Sequence, residues 1–266
     1  MFGLGSLLLL PDLPATMTVR YDDIAIEWLG YATVRIEGTD RTIYLDPGRY
    51  GVLTGDWEPD SPEAGEAHPP GRDYRPEDGD VVCVSHRHHY DPDGIKRVAR
   101  ADAMVVAFEG MNPRNGSRAL PRLVDLPFDI LEVGAEADRI VEGTALWTVP
   151  AYNEPDGPRT RPNGEPYHPE GRGCGYLLSV DGVGLFWPGD TDVLDGHAEL
   201  DVDVLLPPID GARAMSRHEA ADLAEAMAPD LVVPIHYNTF GALETDSAAF
   251  ARELANRGIE VELDEH

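Results

Sequence analysis

At 266 residues with 42% hydrophobic content, the chain is long enough to bury a sizeable core, as one large α/β domain or two small ones. Asp and Glu number 49 against 21 Lys and Arg, and this charge of -28, with no basic run, argues against nucleic acid and anionic membranes as partners. Lys96 is the only lysine, a balance that suits a halophilic protein in concentrated salt, where screening removes self-repulsion; this reading ranks ahead of the alternative, G/C-rich codon usage.

The apolar run in MFGLGSLLLLPDLPATM is too short to span a bilayer, lacks a basic leading region and breaks at Pro11. It reads as a poorly ordered extension over 1–17, with a single domain over 18–266 that starts near Met17. Two cysteines, Cys83 and Cys174, build neither a disulfide framework nor a cysteine zinc cluster, which fits a reducing cytoplasm.

Alternation predicts strands at Ile24 to Trp28, Thr33 to Ile36 and Thr42 to Leu45. Residues 49–79 are rich in Pro, Gly and acidic residues and read as a long surface loop with the character of a lid. DVVCVS is a buried strand, followed by a helix from about Asp93, its expected cap, to Arg100. MVVAF, FDILEV, RIVEG and ALWTVPA continue the β-rich half; GYLLSV, VGLFWPGD, VDVLLPP and DLVVPIHY follow the loop 153–173. Ser216 and Glu219 have the spacing of a capping box, and a last helix starts at Thr245 or Asp246 and stops at Gly258. The pattern predicts two packed β-sheets with helices outside.

Polar residues gather at the strand exits. His86 and His88 form HxH after DVVCVS, where a turn can aim two imidazoles at one point; alone, the pair reads equally as two hydrogen-bonded loop histidines. Asp190 follows GLFW and His236 follows LVV, again at strand ends, where α/β scaffolds place their chemistry. His168 sits in a loop leading into a strand. Asp46, at the end of IYLD, is either a carboxylate orienting a ligand histidine or a turn former. His197 and His218 read as surface residues, Cys83 as inert packing, and Trp187 as site wall or core.

WLGYATVRIEG, IYLDPG, VPAYN, GCGYLLSVDG, PGDTD, DVLLPPIDG and VVPIHY, in this order from Ile24 to Tyr237, resemble the metallo-β-lactamase fold hydrolases, in the branch of the ascorbate-phosphate lactonase and related hydrolases. The resemblance implies a four-layer αβ/βα sandwich of two mixed sheets with outer helices. It implies that His86, His88 and His168 hold a first ion, Asn153 standing where other branches place a histidine. Asp190 would bridge to a second ion held by His236. Zinc suits these donors, with manganese or iron as alternatives.

The stretch SHRHHYDPDG departs from the HxHxDH pattern of that family. Aligned from His86, Tyr90 replaces the aspartate and Asp91 the final histidine; slipped by one residue, Pro92 replaces that histidine. Asp91 is the nearest surviving carboxylate in both registers, which makes it the expected second-ion ligand and, with Asp190, the catalytic carboxylate that orients water and passes a proton. His89 is open to three roles: substitute ligand, partner of a ligand, or solvent-facing residue. Tyr31 stands where the family usually has a histidine.

The expected activity is metal-dependent hydrolysis of a small-molecule ester, lactone or phosphoester, with one or two ions. Arg159, Arg161 and Arg172 are candidates for an anion-binding rim, so a phosphorylated substrate is within reach. Homo-oligomers are compatible with the sequence. The alternative is a non-catalytic binding protein with a degenerate metal site; a diiron redox role ranks third.

Overall fold

A computed structural model describes residues 18–49, 74, 77–111, 114, 115 and 118–265. The expected extension over 1–17 and nearly all of the 49–79 loop lie outside the described residues.

The first half of the chain runs β1 (Val19–Tyr21), β2 (Ile24–Trp28), β3 (Val34–Glu37), β4 (Thr42–Leu45), β5 (Gly79–Val84), α1 (Pro92–Val98) and β6 (Ala99–Phe108). A short hairpin of β7 (Arg114–Asn115) and β8 (Arg118–Ala119) follows, then β9 (Asp129–Val133). Seven of these strands form one sheet in the order β1-β2-β3-β4-β5-β6-β9, antiparallel as far as β4 and parallel beyond it. The second sheet has six strands: β10 (Asp138–Val141), β11 (Thr144–Pro150), β12 (Cys174–Val180), β13 (Val183–Trp187), β14 (Val204–Leu205) and β15 (Leu231–Val232). It is antiparallel to β13 and parallel from there.

Strand β5 shows why its sequence is a continuous apolar run. Val81 and Cys83 face the core between the sheets, while Val82 and Val84 face a second cluster with Ile95 and Val98 of α1. A strand buried on both faces has no polar side to show. On the second sheet, Leu146, Tyr176, Leu178, Leu185 and Trp187 fill the same inter-sheet core. Two helices, α2 (Arg217–Met227) and α3 (Ser247–Arg257), join the same connected apolar cluster through Ala220, Ala221, Leu223, Ala224, Phe250 and Leu254. The two sheets with helices outside are the expected αβ/βα sandwich.

The capping box at Ser216 and Glu219 forms, Asp246 caps α3, and Gly258 ends it in the left-handed conformation. DVLLPP and DLVVPIHY yield only two-residue strands, since Pro207, Pro208 and Pro234 have no N–H to give a ladder. Helix α1 starts one residue before expectation and is capped by Asp91, not Asp93. The reason is Pro92: proline favours the first helical position and forces the residue before it into the extended conformation of a cap.

Two surface expectations fail. His197 is 1% exposed, because its Nδ1 accepts from the Leu194 amide and its Nε2 lies 3.3 Å from the Pro150 carbonyl, closing a turn. Arg159 is buried between Asp192 (3.1 Å) and Glu219, so it anchors the 153–173 loop to the cap of α2 and is no part of a rim. Burial works to raise the Glu219 carboxyl, but Arg159 and Ser216 outweigh it and hold the pKa at about 2. Among the described residues no helix is long and apolar enough to cross a membrane.

Gly175 lets β12 press on the exit of β13: a Cβ there would stand 2.6 Å from the Pro188 carbonyl oxygen and 2.7 Å from that of Trp187. Gly175→Ala is expected to lower unfolding stability by about 1–3 kcal/mol in a denaturant titration, as overpacking against backbone does; an unchanged midpoint would contradict this. The acidic surface predicts a melting temperature that rises from about 0.1 M to about 1 M KCl, as the Debye length falls from about 10 Å to about 3 Å. A flat or falling profile would leave codon usage as the source of the composition.

Candidate metal centre

The strand exits converge. β4 ends at Asp46, β5 at Ser85 and the histidine run, and β13 leads to Asp190; β14 leads to Asp210 and β15 to His236, while His168 comes from the loop before β12. Two of these positions hold non-glycine residues at positive φ, Asp46 at 43° and His236 at 58°. Such backbone persists where the surroundings over-determine it, and the His236 amide is fixed by the Tyr31 carbonyl at 2.9 Å.

His86, His88 and His168 bring ligand atoms within 4.8 Å of one another, and so do His86, His89 and Asp190. Asp190 lies between the groups. Its Oδ2 is 3.6 Å from His86 Nε2 and 3.3 Å from His168 Nε2, while its Oδ1 is 3.5 Å from His89 Nε2 and 3.4 Å from His236 Nε2. His88 reaches the first group through Nδ1, 3.1 Å from His168 Nε2.

The far side of each ring assigns its proton. His89 Nδ1 meets Asp46 Oδ2 at 3.0 Å, and His236 Nδ1 meets Asp210 Oδ2 at 3.0 Å. His168 Nδ1 faces two carbonyl oxygens, Asn153 Oδ1 and the Arg213 backbone, each at 3.2 Å. The Ser85 hydroxyl donates to Asp46 Oδ2 at 2.6 Å, which leaves its oxygen to accept from His86 Nδ1 at 3.0 Å. In every case Nδ1 carries the hydrogen and the Nε2 lone pair faces Asp190.

That leaves a cluster of acceptors. His86 Nε2, His89 Nε2, His236 Nε2 and Asp190 Oδ1 are all buried without a hydrogen-bond partner. Burying unpaired acceptors against each other is costly, and a cation removes the cost. Imidazole nitrogen and carboxylate oxygen, with His89 and His236 backed by carboxylates, His168 by carbonyls and His86 by the Ser85 hydroxyl, are the donors and the outer support that zinc takes. The residues present therefore fit divalent metal.

Electrostatics favour neutral rings at His86, His88 and His168 and an ionised Asp190, whereas at His236 burial is outweighed by Asp190 and Asp210, which raise its pKa. Burial, with repulsion among the histidines, drives His86 and His88 well below the usual histidine pKa. Burial lowers His168 as well. Burial opposes ionisation of Asp190, yet His236, His89, His168 and His88 outweigh it and hold the carboxyl well below the usual range.

Asp91 is given a different task from the one its position in the motif implied. Its Oδ1 accepts from the amides of Asp93 (2.9 Å) and Gly94 (3.3 Å), capping α1, and it belongs to neither ligand group. His89 is fully buried with Nε2 toward Asp190, so the solvent-facing reading of it falls away. Asn153, in place of a histidine, accepts from the His168 backbone amide (3.0 Å) and orients its ring. Tyr31 packs on the site, its ring 4.7 Å from His236 and 4.8 Å from His89. Trp187 proves to be both core and support, donating Nε1 to Asp46 at 2.8 Å. Asp210 and Ser85 went unrecognised. Asp210 had the signal that marked Asp190, a carboxylate after an apolar run; Ser85 had none beyond adjacency to His86.

Beside the first group opens a cavity of about 580 Å³, reaching Asp190, His86, His88 and His168 at its base. Cys174 lines it but is buried, and burial pushes its thiol up, away from reactivity.

The family model described as "Beta-lactamase superfamily domain" matches residues 25–236. A UPF0173 metal-dependent hydrolase of Thermococcus kodakarensis is 27% identical over 241 residues, covering 88% of this chain and 93% of that protein. A UPF0173 metal-dependent hydrolase of Archaeoglobus fulgidus is 28% identical over 247 residues, covering 90% and 94%. Among solved structures, the metallo hydrolase Igni18 of Ignicoccus hospitalis superimposes with a TM-score of 0.63 at 18% identity, covering 91% of this chain and 95% of its own. With the family model spanning most of its length, the chain belongs to the β-lactamase superfamily domain family and is a hydrolase of the metallo-β-lactamase fold.

Proposed function

We propose that the chain is a two-metal hydrolase of small-molecule esters, lactones or phosphoesters, with His86, His88 and His168 holding one ion, His89 and His236 the other, and Asp190 between them. The observation that carries this reading is the set of buried, unpartnered acceptors around Asp190. Where the HxHxDH pattern loses its last histidine, His89 offers a donor beside Asp190, backed by Asp46. This substitution favours an enzyme over a degenerate binding site, and it replaces Asp91 in the ligand set.

Zinc is the ion favoured by this many imidazoles, and divalent ions here would lower the pKa of water toward neutrality and polarise a carbonyl or phosphoryl oxygen. Asp190, ionised and reached from the cavity, orients the attacking water. Asp46 and Asp210 keep the rings of His89 and His236 in the tautomer that points Nε2 inward. The cavity volume is that of a small-molecule site. Cys83 and Cys174 are free and buried, which supports work in a reducing cytoplasm.

Metal analysis of the purified protein is expected to find two equivalents of divalent ion, with His89→Ala retaining one. Asp210→Ala should weaken metal retention by about 10- to 100-fold in a chelator competition, as loss of a partner behind a ligand histidine does. Asp190→Asn should cut hydrolysis of a lactone and phosphodiester panel by about 100-fold or more while the fold persists by circular dichroism. A metal-free wild type without activity on the panel would overturn the proposal.

A further inference from the structure

Three arginines line the cavity above the metal centre: Arg87 between His86 and His88, Arg161 in the loop that carries His168, and Arg172 at the entry to β12. Their placement follows from the scaffold. Gly173 pairs with His86 in an isolated bridge, which sets Arg172 beside the histidine run. The buried anchor Arg159 and the bridge between Thr160 and Pro166 fix the hairpin on which Arg161 stands. Tyr167 stiffens it further, its ring 4.0 Å from the Arg213 guanidinium and 5.7 Å from that of Arg161.

In so acidic a chain, cations are expected to be paired. Arg35, Arg100, Arg159, Arg217 and Arg257 all meet carboxylates within 3.5 Å. Among the described residues Arg87, Arg161 and Arg172 meet none, and the side chain of Arg161 has only the Tyr167 carbonyl at 3.4 Å besides that ring. They are near enough for Arg161 and Arg172 to repel Arg87. Glu109 and Glu165 also line the cavity without pairing to them, and Glu165 accepts from Asn163 at 2.9 Å. Keeping three like charges together with no direct carboxylate partner among the described residues is costly, and an anion joining them would offset that cost. Guanidinium is also the cation whose planar fork matches oxyanions.

We infer that Arg87, Arg161 and Arg172 form a subsite for an oxyanionic group of the substrate, phosphoryl or carboxylate, separate from the bond cleaved at the metal centre. The inference rests on the hydrolase reading for the word substrate, and on the arginines alone for the anion. It gives the two parts of the cavity different work: the base performs the reaction, and the arginine wall selects and orients the molecule by a charge it keeps throughout. It also gives an acidic protein a local means of drawing in an anion that the rest of its surface repels.

The test is equilibrium binding of inorganic phosphate and of acetate to the full-length, metal-loaded protein by calorimetry at fixed ionic strength. Wild type, the double variant Arg161→Gln/Arg172→Gln and His86→Ala are compared, with metal content measured on each. The double variant, altered only at the cavity wall, is expected to bind phosphate about tenfold or more weakly with unchanged metal content, the loss of charge-assisted hydrogen bonds being of that size. His86→Ala is expected to stay within about threefold of wild type while losing metal, less than the tenfold step of 1.4 kcal/mol. Tighter binding of phosphate than acetate assigns a phosphoryl group, and the reverse a carboxylate; either supports the subsite. Phosphate binding that survives in the double variant, or that vanishes only with His86→Ala, overturns it by placing the anion on the metal. Absence of metal from wild type would instead count against the hydrolase reading and leave the anion comparison standing.

Discussion

A buried carboxylate enclosed by imidazole lone pairs is the constraint around which the rest of the molecule is arranged. Asp190 has acceptors on both sides, from His86 and His168 at one oxygen and from His89 and His236 at the other. Each of those rings is prevented from turning its N–H inward, because Ser85, Asn153, Asp46 or Asp210 already claims it. A cation at this point would satisfy these acceptors together. The strained backbone at Asp46 and His236, and the glycines that let β12 approach its neighbours, serve to hold that geometry.

The fold delivers these residues because strand exits on two different sheets open on the same edge of the sandwich. Parallel strands β4, β5 and β6, and β13 to β15, end on that side, so one turn beyond each can place one polar group. Functions of this kind live in the loops while the sheets set the distances. The proposed arginine wall is an extension of the same logic, since Arg87 lies between His86 and His88 and Arg172 beside Gly173, which pairs with His86.

Much of this was legible in the sequence, and the part that was not has local causes. Alternating or continuous apolar runs marked the strands, and the caps at Ser216, Asp246 and Gly258 marked the long helices, because those signals act over a few neighbouring residues. Strand-end polarity singled out His86, His88, Asp190 and His236, and Asn153 pointed to His168. What failed was register within SHRHHYDPDG. Motif spacing favoured Asp91 as ligand, but Pro92 commits Asp91 to capping α1, and the ring that turns inward is His89. Arg159 and His197 failed for a related reason: their partners, Asp192, Glu219 and the Pro150 carbonyl, are distant in the chain and bring a polar side chain indoors.

The central claim is that this cluster of acceptors exists to hold cations. Anomalous diffraction at the zinc edge from crystals grown with zinc tests it most directly. Two peaks are predicted, one amid His86, His88 and His168 and one amid His89 and His236. No peak near Asp190, or rings of His89 and His236 turned with Nδ1 inward, would contradict the account.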